Sequence, residues 1–439
     1  MIHLANITIV TDDSGLSDEL LKKLQHLRYH VRAVDNQADA LAEAEKTHPD
    51  VVLLGERFKG GDPMTLARIL KSAPATSDIS ICLITPEASA ELQARALESG
   101  MSDVLRTPMS DIKLISRLRP LIRLAAMQVE LQQRGIAARQ FGFSIEPTPQ
   151  RRKGDKEDRI LLIGKDVEKL ARHLPGAELS VVADPYAAED ELENKNYDAA
   201  VAICGDNPTP YLDLCVQTRN NPRLFNLPLI LIADPEQIDE ETAYHHGVSG
   251  YFVNPADPFR LANSAQFLVR RQRQRWAMRE ALADAAKPVI KDPATGAFSR
   301  AFLDAYLPIR VDHAQALRRP LSIAFFRVPD VENIRQRFGN EQANHLRLQV
   351  SQWITRLLRV EDLAARFEEN EFCVLLPDSP QSEASLVINR IAGVLAYTDF
   401  AVRDVYEPVK VWVRVGSAEL REGESMAALI ERAHQAMVE

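Results

Sequence analysis

Apolar, β-branched runs recur along the chain in two matched sets. The first set ends near Val10 (ITIV), Leu54 (VVLL), Ile84 (ICLI) and Leu105 (DVL), at separations of 44, 30 and 21 residues. The second ends near Ile163 (ILLI), Ile203 (AVAI), Ile232 (LILI) and Phe252 (GYF), at separations of 40, 29 and 20. Stretches with helical spacing, such as LSDELLKKLQHL, separate the runs. Connections of that length permit right-handed crossovers and hence parallel strands, so each set predicts a doubly wound α/β domain. Ligand sites in such sheets lie at the carboxyl ends of the strands. Both sets close on a strand-x-Pro turn, at Pro108 and Pro255, before an amphipathic helix. The resulting division is a first domain over 1–140, a polar, Pro-containing linker over 141–158 and a second domain over 159–275. A helical linker over 276–290 then leads to a third domain over 291–439.

Composition narrows the class. At roughly 150 residues per domain, 439 residues suit three domains. With 46% hydrophobic and 26% charged residues the chain reads as globular, and no apolar run approaches the roughly 18 residues of a membrane span. The opening MIHLANITIVTDD passes from a short strand straight into acid, unlike a signal peptide, so a cytoplasmic protein is expected. Cys82, Cys204, Cys215 and Cys373 sit in apolar runs without C-x-x-C spacing, as structural thiols in a reducing compartment do. A net charge of −9 and a pI near 5.7 argue against nucleic acid as a partner. The basic run RRQRQRW, Arg270 to Trp276, reads as a solvated helical linker.

The first two domains resemble receiver domains of two-component response regulators. That resemblance implies an acidic pair after the first strand, an aspartate nucleophile after the third, a hydroxyl after the fourth and a lysine before the proline after the fifth. In the first copy Asp12, Asp13 and Thr85 match, but the nucleophile position is Gly55 and the lysine position is Thr107. Glu56 follows one residue later, and alternation along an extended strand predicts that it faces the other way. In the second copy the corresponding residues are Gly164 and Lys165, Ile203, Ala233 and Asn254, so neither copy is expected to accept phosphate.

The third domain opens on DPATGAFSR, Asp292 to Arg300, similar to the D-x-L-T-G-L-x-N-R opening of diguanylate cyclase (GGDEF) domains. The segment RVEDLAARFEENEF matches the signature R-x-x-D-(x)₃-R-x-G-G-[DE]-E-F at Arg359, Asp362, Arg366, Glu371 and Phe372. The order receiver, receiver, GGDEF resembles PleD-type regulators, and the expected fold class is two CheY-like doubly wound sheets followed by a cyclase-palm-like α/β domain. The resemblance implies carboxylates for two Mg²⁺ and a Gly-Gly turn for the triphosphate, and both are altered. Arg327 and Asn370 replace the carboxylates, so no metal is expected. Glu368 and Glu369 replace the glycines, and each carboxylate beside a phosphate would cost about 4 kcal/mol at 4 Å and an effective dielectric of 20. Arg335 and Asn344 stand where the family reads guanine with Asn and Asp. The chain ends at Glu439, short of the family's later phosphate-binding Lys and Arg, and no enzymatic activity is expected.

The resemblance also implies a product site for cyclic di-GMP formed by Arg359 and Asp362, with Arg390 on a neighbouring helix. By spacing alone the Arg-x-x-Asp pair is weak, since it recurs at Arg32 and Asp35, read here as a surface ion pair. Three readings stay open: a non-catalytic cyclic di-GMP receptor that recruits protein partners, a nucleotide-independent dimeric scaffold, and an active cyclase. The resemblance further implies a homodimer with duties in the cell cycle or polarity, including residence at a cell pole.

Overall fold

In the computed structural model, which describes residues 5–145 and 157–437 except 166, 175 and 222, the chain forms two compact units. One is built from residues 5–125 and 157–277, and the other chiefly from residues 126–145 and 278–437. Residues 146–156 of the predicted linker lie outside the described residues.

The first unit holds two parallel sheets. Strands β1 (Asn6–Val10), β2 (His30–Val34), β3 (Val51–Leu54), β4 (Ser80–Thr85) and β5 (Asp103–Arg106) run in the order β2-β1-β3-β4-β5. Strands β6 (Asp158–Ile163), β7 (Ala177–Val182), β8 (Ala199–Ile203), β9 (Leu229–Ala233) and β10 (Gly250–Val253) repeat that order as β7-β6-β8-β9-β10. All pairings are parallel, as the crossover lengths predicted. The edge strands β2 and β7 escaped the sequence reading because they are only partly buried and carry no continuous apolar run. The basic run at 270–276 is only partly solvated: Arg270 and Gln274 are exposed, the others are half-buried or buried. Arg270 donates to the Leu97 carbonyl at 2.9 Å, Arg271 and Gln272 are buried, and Arg273 meets Asp158 and Asp198. Methylene stems and partner groups cover part of these side chains, which a charge count does not register.

The second unit is built on an antiparallel sheet, β12-β13-β11-β14, with β11 (Leu321–Arg327), β12 (Leu363–Glu368), β13 (Glu371–Pro377) and β14 (Arg414–Glu419). Side chains on successive strand residues alternate between faces. Leu321, Ile323 and Phe325 therefore join one core with Tyr306 and Leu375, while Ala324 and Phe326 join the other with Leu346, Val350 and Phe372. Both faces of the sheet are covered, which explains the unbroken apolar run of β11. The opening motif docks on the edge of the signature strand: Phe298 N–H donates to Ala364 O at 2.9 Å, and Arg366 N–H to Phe298 O at 2.8 Å.

Candidate functional site

In the first receiver, the carboxyl ends of β1, β3, β4 and β5 bring Asp12, Gly55, Thr85 and Thr107 to one edge. Asp13 instead caps the helix Ser14–His26, accepting from Leu16 N–H at 3.0 Å. Glu56 departs from expectation: β3 ends at Leu54, alternation lapses, and the Glu56 carboxylate accepts a hydrogen bond from the Thr85 hydroxyl. Gly55 is constrained by packing, because a Cβ there would lie 2.6 Å from Thr11 Oγ1 and 2.8 Å from Thr11 Cβ. Gly55→Asp is therefore expected to destabilise the domain by about 1–3 kcal/mol in urea unfolding without creating a group that takes label from acetyl phosphate. In the second parallel-sheet domain, Gly164 has φ +111°, and a Cβ there would lie 2.6 Å from the Ile203 carbonyl oxygen. Ile203 and Ala233 end their strands, and Asn254 N–H is bonded to Ala233 O at 2.9 Å.

In the third domain the cyclase positions are occupied by pairs internal to the protein. The Arg327 guanidinium lies 3.4 Å from the Glu371 carboxylate, which is 1% exposed and also lies 3.2 Å from His434 Nε2. Arg347, a residue the sequence reading passed over, is buried by the hairpin tip. It reaches Asn344 Oδ1 at 2.5 Å, Asn370 Oδ1 at 3.1 Å and Glu369 Oε1 at 3.4 Å. Glu368 pairs across the hairpin with Glu371. Arg335 binds Glu332 one turn back on its own helix, at 2.5 and 2.8 Å, and these bonds with Gln336 pull the Glu332 carboxyl down to about 2. With Arg327 and Asn370 in place of carboxylates, this donor set does not fit two Mg²⁺ ions. No group of three or more His, Cys, Asp or Glu among the described residues is placed to hold a metal.

Asp292 of the opening motif accepts from Thr295 Oγ1 at 2.7 Å and from Arg366 Nη1 at 2.9 Å. Burial acts to raise its carboxyl, but the bonds from Thr295 and Arg366 outweigh it and hold the group below the ordinary value of 3.8. A depressed folded value contributes stability that is present above the ordinary Asp range and is lost as pH falls through the lower folded value. Asp292→Asn is expected to cost about 1–2 kcal/mol at pH 7, with the gap to wild type closing below about pH 4, in urea unfolding at a series of pH values.

The Arg-x-x-Asp motif forms the turn between the helix Asn340–Leu357 and β12. It is closed twice: Asp362 N–H donates to Arg359 O at 3.2 Å, and Arg359 N–H donates to Asp362 Oδ2 at 2.8 Å. Arg359 is exposed, whereas Asp362 is only 7% exposed, so one carboxylate oxygen serves the turn's own backbone. Arg390, exposed on the helix Gln381–Tyr397, donates to the Leu357 carbonyl at 2.8 Å. That carbonyl belongs to the last turn of the helix Asn340–Leu357, where backbone acceptors lack intrahelical partners and cations are favoured. The structure therefore brings Arg359 and Arg390 to one helix end. Arg134 meets the turn from the buried side, donating to the carbonyls of Val360, Glu361 and Asp362 at 3.3, 3.2 and 2.9 Å. Sequence could not single it out, since Glu130 and Arg134 read as an ordinary i,i+4 surface pair. The second Arg-x-x-Asp copy is not an ion pair: Arg32 binds Glu43 at 3.1 Å, and Asp35 binds Lys59.

Two family models match parts of the chain. Residues 7–119 match the response regulator receiver domain, and residues 289–439 match the diguanylate cyclase GGDEF domain. The response regulator PleD of Caulobacter vibrioides is 28% identical over 435 residues, covering 97% of this chain and 95% of that protein. The phosphate regulon regulator PhoB of Escherichia coli is 25% identical over 146 residues, covering 33% of this chain and 62% of PhoB. Among solved structures, the GGDEF domain of DgcB from Caulobacter crescentus, in complex with c-di-GMP, is similar at 21% identity and a TM-score of 0.33, covering 34% of this chain and 86% of that one. The chain thus carries a response regulator receiver domain and a GGDEF domain, and is similar to PleD along nearly its whole length.

Proposed function

We propose that this chain is a non-catalytic receptor for cyclic di-GMP that signals by recruiting protein partners. The observation that carries the reading is the pairing of two exposed arginines, Arg359 on a doubly closed turn and Arg390 bonded to the adjoining helix end. Guanidiniums placed this way suit the phosphates and the guanine Hoogsteen edge of a cyclic dinucleotide. The cyclase half-site, in contrast, spends its polar groups on internal pairs, Arg327 with Glu371 and Arg347 with the hairpin tip. In domain order and altered signature the chain resembles PopA, a PleD paralogue with a degenerate C-terminal domain. A homodimer assembled through the receivers, with cell-cycle or polarity duties at a cell pole, completes the reading. A nucleotide-independent scaffold is favoured by one feature, the inward commitment of an Asp362 oxygen to Arg359 N–H. Equilibrium dialysis with cyclic di-GMP on wild type and Arg359→Ala separates the two. The receptor reading requires saturable binding by wild type that the variant loses, and equal binding by both or none by either leaves the scaffold.

A further inference from the structure

We infer that Arg134, anchored by Glu130, Tyr306 and Arg310, is a positioning residue for the Arg359 turn and sets its ligand affinity without touching the ligand. The inference rests on the receptor reading of that turn.

A guanidinium is seldom buried without carboxylate partners at each edge, because its desolvation costs several kcal/mol. Arg134 is 3% exposed, and its contacts are divided unusually. Its Nε donates to Glu130 Oε1 at 2.6 Å, while a single nitrogen, Nη2, faces the three successive carbonyls of residues 360–362. Its guanidinium carbon lies 5.5 Å from the centre of the Phe298 ring, in the strand-edge segment that also bonds β12.

Glu130 is itself fixed from a second helix, Arg300–Leu317. It accepts from the Tyr306 hydroxyl, and its other oxygen lies 3.8 Å from Arg310 Nε. Burial, then the charge on Glu130, holds the Tyr306 phenol well above its usual range, so it stays protonated as a donor. Glu130, Tyr306 and Arg310 are all essentially inaccessible to solvent. The chain of contacts runs from Tyr306 and Arg310 through Glu130 to Arg134, and from there to the peptide planes of the turn.

Three carbonyls converging on one nitrogen fix the orientation of three consecutive peptide planes. Arg359 begins that turn, and its guanidinium must meet the ligand in register with Arg390. Without Arg134 each of the three carbonyls would lose a donor, and the planes would no longer be held to one orientation. The side chain of Arg359 would remain, but its starting direction would not. Ordering of the turn by a ligand should likewise be felt at residues 126–138, through the same contacts.

The test uses the full chain, cyclic di-GMP as the probe, and the variants Arg134→Lys and Tyr306→Phe. Lysine keeps the charge but presents its donors from one tetrahedral point, without the fork that binds Glu130 and the turn together. At a temperature where melting shows the variants folded, Arg134→Lys should bind about tenfold or more weakly than wild type, with a smaller loss for Tyr306→Phe. Ligand should slow amide exchange at 126–138 in wild type, and Arg134→Lys should abolish that protection. Purely structural packing would lower the melting temperature and leave both readouts unchanged. Affinities within about twofold of wild type in both folded variants overturn the inference. If Arg134→Lys fails to fold, Tyr306→Phe decides on the same readouts. If wild type does not bind cyclic di-GMP, the receptor reading falls, and exchange of the 361–363 amides without ligand decides the positioning role. Faster exchange in the variants upholds it, and unchanged exchange overturns it.

Discussion

Replacing Arg359 by alanine is expected to weaken cyclic di-GMP binding about 10- to 150-fold, the loss of a charge-assisted, bidentate contact worth about 1.5–3 kcal/mol. The turn itself should survive, because its closure uses backbone groups and the Asp362 carboxylate, not the Arg359 side chain. The change should therefore appear in affinity and not in the unfolding midpoint. Wild type should bind at about 1 μM or tighter to serve as an intracellular receptor. Arg32→Ala is the matched control: it removes the other Arg-x-x-Asp arginine, whose partner is Glu43, and should leave affinity unchanged. Titration of the three proteins in parallel, by calorimetry or dialysis, checks the prediction, and equal affinity for Arg359→Ala and wild type refutes it.

Incubation with GTP and Mg²⁺ or Mn²⁺ is expected to yield no cyclic di-GMP, and the triple change Glu368→Gly, Glu369→Gly and Asn370→Glu should not restore it. The turn would regain its glycines and one carboxylate. Arg327 would still stand at the other metal position, 3.4 Å from Glu371, placing a fixed positive charge where a divalent cation would have to bind. Arg347 would lose its Glu369 contact, and the carboxylate introduced by Asn370→Glu would lie beside that buried guanidinium, a partner for it and not for a metal. The triple variant should accordingly be inactive. Turnover by wild type, read by chromatography of the nucleotide products, would overturn the receptor reading.

Much of the architecture was legible in the chain because buried parallel strands require continuous apolar runs and crossovers require length. Eight strands of the two parallel sheets, six of them interior, announced themselves in that way. The edge strands β2 and β7 did not, since a half-exposed edge has no need of an apolar run. The candidate site was legible as motif residues, and the bond from Arg366 to Asp292 joins two motifs far apart in sequence. Glu56 was misread because alternation was extended beyond the end of β3, into a segment where the backbone no longer follows it. The basic run at 270–276 was misread because a count of charges carries no information on which stems find cover.

By itself the sequence determined the parallel sheets, the residues that stand at the phosphoacceptor and metal positions of the families it resembles, and the Arg359 motif. These follow from residue identity and spacing, which act locally. Only the tertiary structure decided what the altered positions do instead. Arg327 meets Glu371 across the strand pair, Arg347 fills the space under the hairpin tip, and Arg134 ties down the turn from a position 228 residues from Asp362 in sequence. Burial makes such groups costly unless paired, and the identity of a long-range partner is fixed by the packing of elements that no local pattern records.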